Sequence, residues 1–155
     1  MEIKSVLFVC LGNICRSPLG DGILRRKIKE RGLQLTVDSA GTANYHIGKG
    51  PDERMVATAK KRGTDIAFLR ARQFSAKDFR DFDLIYVMDK SNYSNVIRLA
   101  ENEAQRNKVR LALDELFPGE EQEVPDPYYG GQDGFDHVYE LMDQVTDKII
   151  LKIKN

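Results

Sequence analysis

The chain has little of several things, and each shortage removes a class of function. Its 155 residues contain only two cysteines and two histidines. Cys10 and Cys15 lie five apart, so a bond between them closes too little chain to serve as a structural staple, and a disulfide scaffold is excluded. His46 and His137 stand alone, and the cysteines lack zinc-finger spacing, so no metal is expected. Lysine plus arginine balances aspartate plus glutamate at 24 each. Without a global basic excess there is no call for nucleic acid or an anionic membrane as partner, and any anion site must be local. No apolar run approaches the roughly 18 residues a membrane span needs, and the amino terminus has no signal-peptide pattern. Cytoplasmic location is the expectation.

What is present organises around Val6-Leu-Phe-Val-Cys10-Leu-Gly-Asn-Ile-Cys15-Arg16-Ser17-Pro18. The apolar run reads as a buried strand that stops at a cysteine, followed by turn residues and a helix start. Ligands in open α/β sheets bind at that carboxyl edge, where a loop offers backbone N–H groups at the mouth of the next helix. Cys10 and Arg16, with five residues between them, bracket such an anion cradle. A cysteine facing these donors and a guanidinium is expected to be a thiolate at neutral pH, and so a nucleophile. Arg16 offers a planar fork suited to two phosphate oxygens. Ser17 has two uses open to it: N-cap of the helix that Pro18 begins, or hydroxyl donor to the sulfur.

Along the chain, Leu19, Ile23, Leu24 and Ile28 share one helical face as far as Gly32, and the basic run Arg25 to Arg31 reads as its solvated side. Leu33 to Ala40 reads as a second strand running into Asp38-Ser39-Ala-Gly-Thr. Ser39 either satisfies its own turn or braces Asn13, a residue that tolerates left-handed dihedrals. In the loop 44–51, Tyr45 packs on its own turn or stacks on an aryl substrate. Asp52 caps a helix that stops at Gly63, and Ser75-x-x-Asp78 resembles a capping box. Leu84 to Met88 is a third buried strand, with Asp89 at its end either capping or orienting Arg16. Ser91 starts a helix, Val109 to Leu113 forms a weaker strand, and Phe135 to Ile153 carries an apolar stripe at helical spacing. Alternating strands and helices imply a doubly wound parallel sheet in a single domain spanning residues 1–155. The loop Val124-Pro-Asp126-Pro-Tyr128-Tyr-Gly-Gly is too long for a connector; its prolines restrict Asp126, which is either a turn residue or a general acid.

Taken together, the Cys10-to-Pro18 motif, Asp38-Ser-Ala-Gly-Thr, Ala71-Arg-Gln, Met88-Asp89-Lys-Ser-Asn and Asp126-Pro-Tyr-Tyr resemble the low-molecular-weight protein tyrosine phosphatases over nearly the whole chain. The resemblance implies an α/β fold with a four-stranded parallel sheet in flavodoxin-like order and helices on both faces. It implies hydrolysis of protein phosphotyrosine and small aryl phosphates without metal or cofactor, inhibited by phosphate and other oxyanions. By position, Cys10 resembles the nucleophile, Arg16 the phosphate-binding arginine and Asp126 the general acid, then base. Leu11, Gly12, Asn13, Ile14 and Cys15 supply the cradle backbone with Arg16 and Ser17. Asn13, Ser17, Ser39 and Asp89 support it, and Tyr45 and Tyr128 resemble aromatic walls. Cys15 matches a cysteine that can form a reversible disulfide with the nucleophile. One departure is Leu69, where relatives often have a histidine linked to the loop brace.

Rivals differ at particular residues. Thioredoxin-linked arsenate reductases need further cysteines near the third strand, and the stretch from Phe82 to Asp89 has none. Protein arginine phosphatases carry a threonine where this chain has Ile14, whose apolar side chain suits an aryl ring better. A phosphocysteine carrier needs neither Arg16 nor Asp126, and a phosphopeptide-binding module needs no reacting groups at all.

Overall fold

A computed structural model describes residues 2–154; Met1 and Asn155, the ends of the expected 1–155 unit, lie outside the described residues. The elements alternate as anticipated: β1 (Ser5–Cys10), α1 (Arg16–Glu30), β2 (Thr36–Gly41), α2 (Glu53–Lys61), α3 (Asp78–Asp81), β3 (Leu84–Val87), α4 (Lys90–Ile97), α5 (Glu103–Arg106), β4 (Val109–Leu111) and α6 (Gln132–Lys154). The strands pair in parallel in the order β2-β1-β3-β4. This is the flavodoxin-like order, in which the chain first moves to one side of β1 and then to the other. The crevice such a reversal opens lies beyond the carboxyl ends of β1 and β3. Val9 is opposite Val87, so Cys10 and Asp89 emerge at the same edge.

The continuous apolar character of β1 follows from its position, since a central parallel strand is covered on both faces. Val6, Phe8 and Cys10 point into a core built with Leu19, Ile23, Met55, Val138, Met142 and Ile149 from α1, α2 and α6. Leu7 and Val9 point the other way, toward Phe74, Phe79, Ile85 and Val96. Helices thus cover both faces, as the doubly wound expectation required.

Several boundaries differ from those read in the sequence, each for a local reason. The strand expected from Leu33 begins at Thr36, because that residue pairs with the first residue of β1; Leu33 and Leu35 pack on the core without pairing. The strand expected to reach Leu113 ends at Leu111, where the chain tightens into a 3-10 turn over Ala112–Glu115. That turn delivers Glu115 to the buried Tyr86 hydroxyl (2.6 Å) and to Lys152 (2.7 Å). The helix expected from Ser91 starts at Lys90, capped by Asp89. The last helix starts three residues before Phe135, at Gln132. Lys27 leaves the solvated face of α1: it is 5% exposed and donates to the Asp143 carbonyl, Thr146 and Asp147 of α6. Ser17 is not the N-cap of α1. The helix begins at Arg16 with Cys15 at the cap position and no side-chain cap bond, which leaves the Ser17 hydroxyl free for the site.

Candidate active site

The turn after β1 is held by its carbonyls. Those of Cys10, Leu11 and Ile14 accept N–H groups of Thr42, Ala43 and Asp52 at 2.8–2.9 Å. In a trans peptide the following N–H points the opposite way, so the N–H groups of Leu11, Gly12 and Cys15 turn toward the loop's interior. Converging main-chain donors at the start of a helix make an anion-binding concavity. The close fit depends on Gly41 at the end of β2, where a Cβ atom would stand 2.8 Å from the Leu11 carbonyl oxygen.

Asn13 locks the turn. Its φ of 58° lies in the left-handed region that asparagine enters more readily than most residues. Its amide donates to Ser17 Oγ (2.8 Å) and Ser39 Oγ (3.0 Å), and its Oδ1 accepts the Arg72 N–H (3.0 Å). Ser39 therefore acts as the brace. Ser17 Oγ lies 2.9 Å from Cys10 Sγ and 3.3 Å from the Ala40 carbonyl. Having accepted from Asn13, it has one proton to give, and the sulfur is the nearer acceptor. Leu69 packs into the core, and bracing that the sequence left unassigned comes from Arg72. Asp38 and Asp78 grip its guanidinium at 3.0–3.1 Å, and its carbonyl accepts the Gly41 N–H.

Arg16 is 3% exposed. Its Nη1 donates to Asp89 Oδ2 (2.8 Å) and the Val124 carbonyl (2.9 Å), while Nη2 stands 3.8 Å from Asp126 Oδ2. Burial alone would lower the guanidinium's pKa; Cys10, Asp89 and Asp126 more than offset that and hold it above its ordinary value. Asp89 serves both roles left open for it, since its other oxygen caps α4 through the Asn92 N–H (2.8 Å). The neighbouring Cys15 differs in kind: burial first, then the charges of Asp52, Cys10 and Asp126, push its pKa up. Both cysteines are free thiols.

These groups open on a cavity of about 270 Å³ lined by Cys10, Leu11, Gly12, Ile14, Cys15, Arg16, Tyr45, His46, Asp126, Tyr128 and Tyr129. Asp126 arrives from the loop before α6, its Oδ1 accepting the Tyr128 N–H (3.0 Å). Tyr45 and Tyr128, read as aromatic walls, line this cavity. His46 and Tyr129 join them, although the sequence reading assigned neither a role in the site. A tyrosine next to Tyr128 was the available signal for Tyr129, while His46 is placed by packing on Gly12, whose Cβ position lies 3.0 Å from its ring. Among the described residues no cluster of three or more His, Cys, Asp or Glu side chains is placed to hold a metal, and no helix is long and apolar enough to cross a membrane.

A family model described as "Low molecular weight phosphotyrosine protein phosphatase" matches residues 5–155. The chain belongs to this family. A Schizosaccharomyces pombe low molecular weight phosphotyrosine protein phosphatase is 44% identical over 137 residues, covering 86% of each chain. The crystal structure of a protein tyrosine phosphatase from Entamoeba histolytica is similar with a TM-score of 0.90 at 36% identity, covering 97% of each chain. A Vibrio vulnificus Wzb structure in complex with benzylphosphonate is similar with a TM-score of 0.86 at 30% identity, covering 97% of this chain and 99% of that one. The motifs at Cys10 to Pro18 and at Asp126 to Tyr129 line the cavity together with Tyr45 and His46.

Proposed function

We propose that the protein hydrolyses phosphotyrosine in proteins, and small aryl phosphates, through a phosphocysteine on Cys10. The observation that carries this reading is the meeting of Cys10 and Arg16, at the two ends of the turn after β1, with Asp126, from a loop more than a hundred residues further along the chain, around one cavity with aromatic sides. The phosphoryl oxygens take the inward N–H groups and the Arg16 fork, which follows charge onto the equatorial oxygens in the transition state. Cys10 Sγ attacks phosphorus, the bond to the phenolic oxygen breaks, and the Asp126 carboxyl gives that oxygen its proton. Water then attacks phosphorus, the sulfur–phosphorus bond breaks, and the water's proton passes to the Asp126 carboxylate. Ser17 gives its hydrogen bond to sulfur whenever sulfur carries the negative charge.

Ile14 and the tyrosines favour an aryl group over a guanidinium as the phosphate's carrier. Benzylphosphonate in the Vibrio vulnificus relative combines a phosphoryl group with an aromatic ring and supports the same choice; phosphate and similar oxyanions are the expected inhibitors. A nucleophilic thiol needs a reducing setting, which makes the cytoplasm the compartment of choice. On exposure to a peroxide, Cys10 is oxidised to the sulfenic acid. The Cys15 thiol then displaces its hydroxyl as water to give a Cys10–Cys15 disulfide, which an external dithiol reduces.

The test is direct. Acid quench during turnover of a phosphotyrosine peptide, followed by peptide mapping, should find the phosphoryl group on the peptide containing Cys10. In competition, the phosphotyrosine peptide should be consumed ahead of phosphoarginine and phosphoserine peptides. Phosphate on another residue, or preference for phosphoarginine, overturns the reading.

A further inference from the structure

Asp126 sits on the exposed part of the site, with 38% of its side chain open to solvent. The root of its loop is fixed at Val124, whose N–H donates to the Met88 carbonyl and whose carbonyl accepts from Arg16. Beyond Asp126 the hold comes from a different direction, the first turn of α2. Arg54 Nη2 donates to the Tyr128 carbonyl (3.0 Å), and the guanidinium lies over the rings of Tyr128 (5.5 Å) and Phe135 (4.6 Å). Asp52 aims that guanidinium by accepting from Nε (3.1 Å) and Nη2 (2.9 Å), and it also caps α2 through the Arg54 N–H (2.8 Å). The Asp52 N–H in turn donates to the Ile14 carbonyl of the phosphate cradle (2.8 Å). A continuous path therefore runs from the cradle through Asp52 and Arg54 to Tyr128, whose own N–H holds Asp126 Oδ1.

We infer that Arg54 is a positioning residue that holds the Asp126 loop in register with the phosphate cradle, acting through Tyr128. Arg54 does not line the cavity, so its effect reaches the substrate only through groups that do. Its planar fork is matched to two carboxylate oxygens and a carbonyl while its face covers two rings, a combination lysine lacks. Its side chain is partly exposed, and surface substitutions of this kind leave the fold intact. The inference rests on the proposed role of Asp126 as general acid, and displacement of that acid is felt most when the leaving group needs a proton.

The experiment compares kcat/KM for phenyl phosphate, a poor leaving group, and 2,4-dinitrophenyl phosphate, a good one, in the intact protein, Arg54→Ala, Arg54→Lys, Asp126→Ala and the Arg54→Ala/Asp126→Ala double variant. Arg54→Ala should lower the phenyl phosphate value about tenfold and the dinitrophenyl value less than about threefold, with Arg54→Lys between it and the intact protein. With Asp126 already removed, Arg54→Ala should cost less than about twofold more, because coupled residues are non-additive. Equal losses on both esters, full additivity in the double variant, or no loss at all overturns the inference while leaving the Asp126 assignment standing. If Asp126→Ala itself leaves phenyl phosphate turnover unchanged, the acid assignment fails, and Arg54 has no acid to position.

Discussion

The two loops that meet over the cavity are built on opposite terms. The cradle from Cys10 to Ser17 is buried at Asn13, Cys15, Arg16 and Ser17 and tied to β2, the Arg72 segment and α2 by main-chain and side-chain bonds. The Asp126 loop is exposed along most of its length, with Val124 and Pro127 its buried residues, and Tyr129 is 91% exposed. A nucleophile and its phosphate site gain from being fixed before substrate arrives, since donors already in place need no reorganisation during reaction. An acid over a leaving group that differs from substrate to substrate gains from lying on a less embedded segment. The difference predicts that damage to the cradle harms every substrate alike, whereas damage to the acid loop is graded by the leaving group.

The strongest break in that comparison is Cys10→Ser, which should lower turnover by about 10⁴-fold or more with any aryl phosphate. Retained p-nitrophenol release in a metal-free assay would take Cys10 out of the mechanism. Next is Asp126→Ala, expected to cost about 10²- to 10³-fold with phenyl phosphate and clearly less with a dinitrophenyl ester. A slope against leaving-group pKa that stays the same as in the intact protein would assign the proton to another residue.

Breaking the cradle without touching a reacting group sharpens the contrast. Asn13→Ala removes the bonds to Ser17 and Ser39, leaves the Arg72 N–H without its partner and keeps a Cβ at φ 58° without the side-chain bonds that hold it there. Asn13→Gly removes the same bonds but relieves the backbone. Both should lower kcat by about 10- to 100-fold with little dependence on the ester. Alanine should unfold at lower urea than glycine, by about 1 kcal/mol of stability. Equal midpoints would mean that the left-handed turn stores no strain.

How much of this was legible in the sequence follows the same division. The cradle is contiguous, so Cys10, Asn13, Arg16 and Ser17 could be read from one strand-turn-helix pattern, and the sheet from its alternation of elements. The contacts that cross the chain were harder. Asp126 could be named only as one of two alternatives, because nothing local reveals that its loop returns to β1. Arg72 read as part of a supporting motif, yet its grip by Asp38 and Asp78 joins segments that only folding brings together. His46 and Arg54 carry no spacing signal, and Tyr129 shows only as the second tyrosine of Asp126-Pro-Tyr-Tyr; packing puts His46 and Tyr129 at the cavity and Arg54 behind it. Ser17 was ambiguous for a physical reason, since a serine before a proline at a helix start suits a cap as well as it suits a bond to sulfur. The helix beginning at Arg16, two residues before Pro18, decides between the two.

The smallest expected effect lies at the joint between the loops. Burial raises the pKa of Asp52, but hydrogen bonds from the Arg54 side chain and N–H more than reverse this and leave it below its ordinary value. A carboxylate that binds its proton more weakly when folded stabilises the protein above its unfolded pKa of about 3.9, and that contribution disappears as pH falls through the folded value. Asp52→Asn keeps a capable helix cap, so what it removes is mainly the charge facing Arg54. The variant should therefore be less stable than the intact protein by no more than about 1 kcal/mol in urea at pH 7, and the gap should close toward pH 3. A gap that keeps its size at both pH values would show that lost shape, not lost charge, is what the substitution costs. In that event the electrostatic half of the Asp52–Arg54 link contributes nothing to holding cradle and acid loop together.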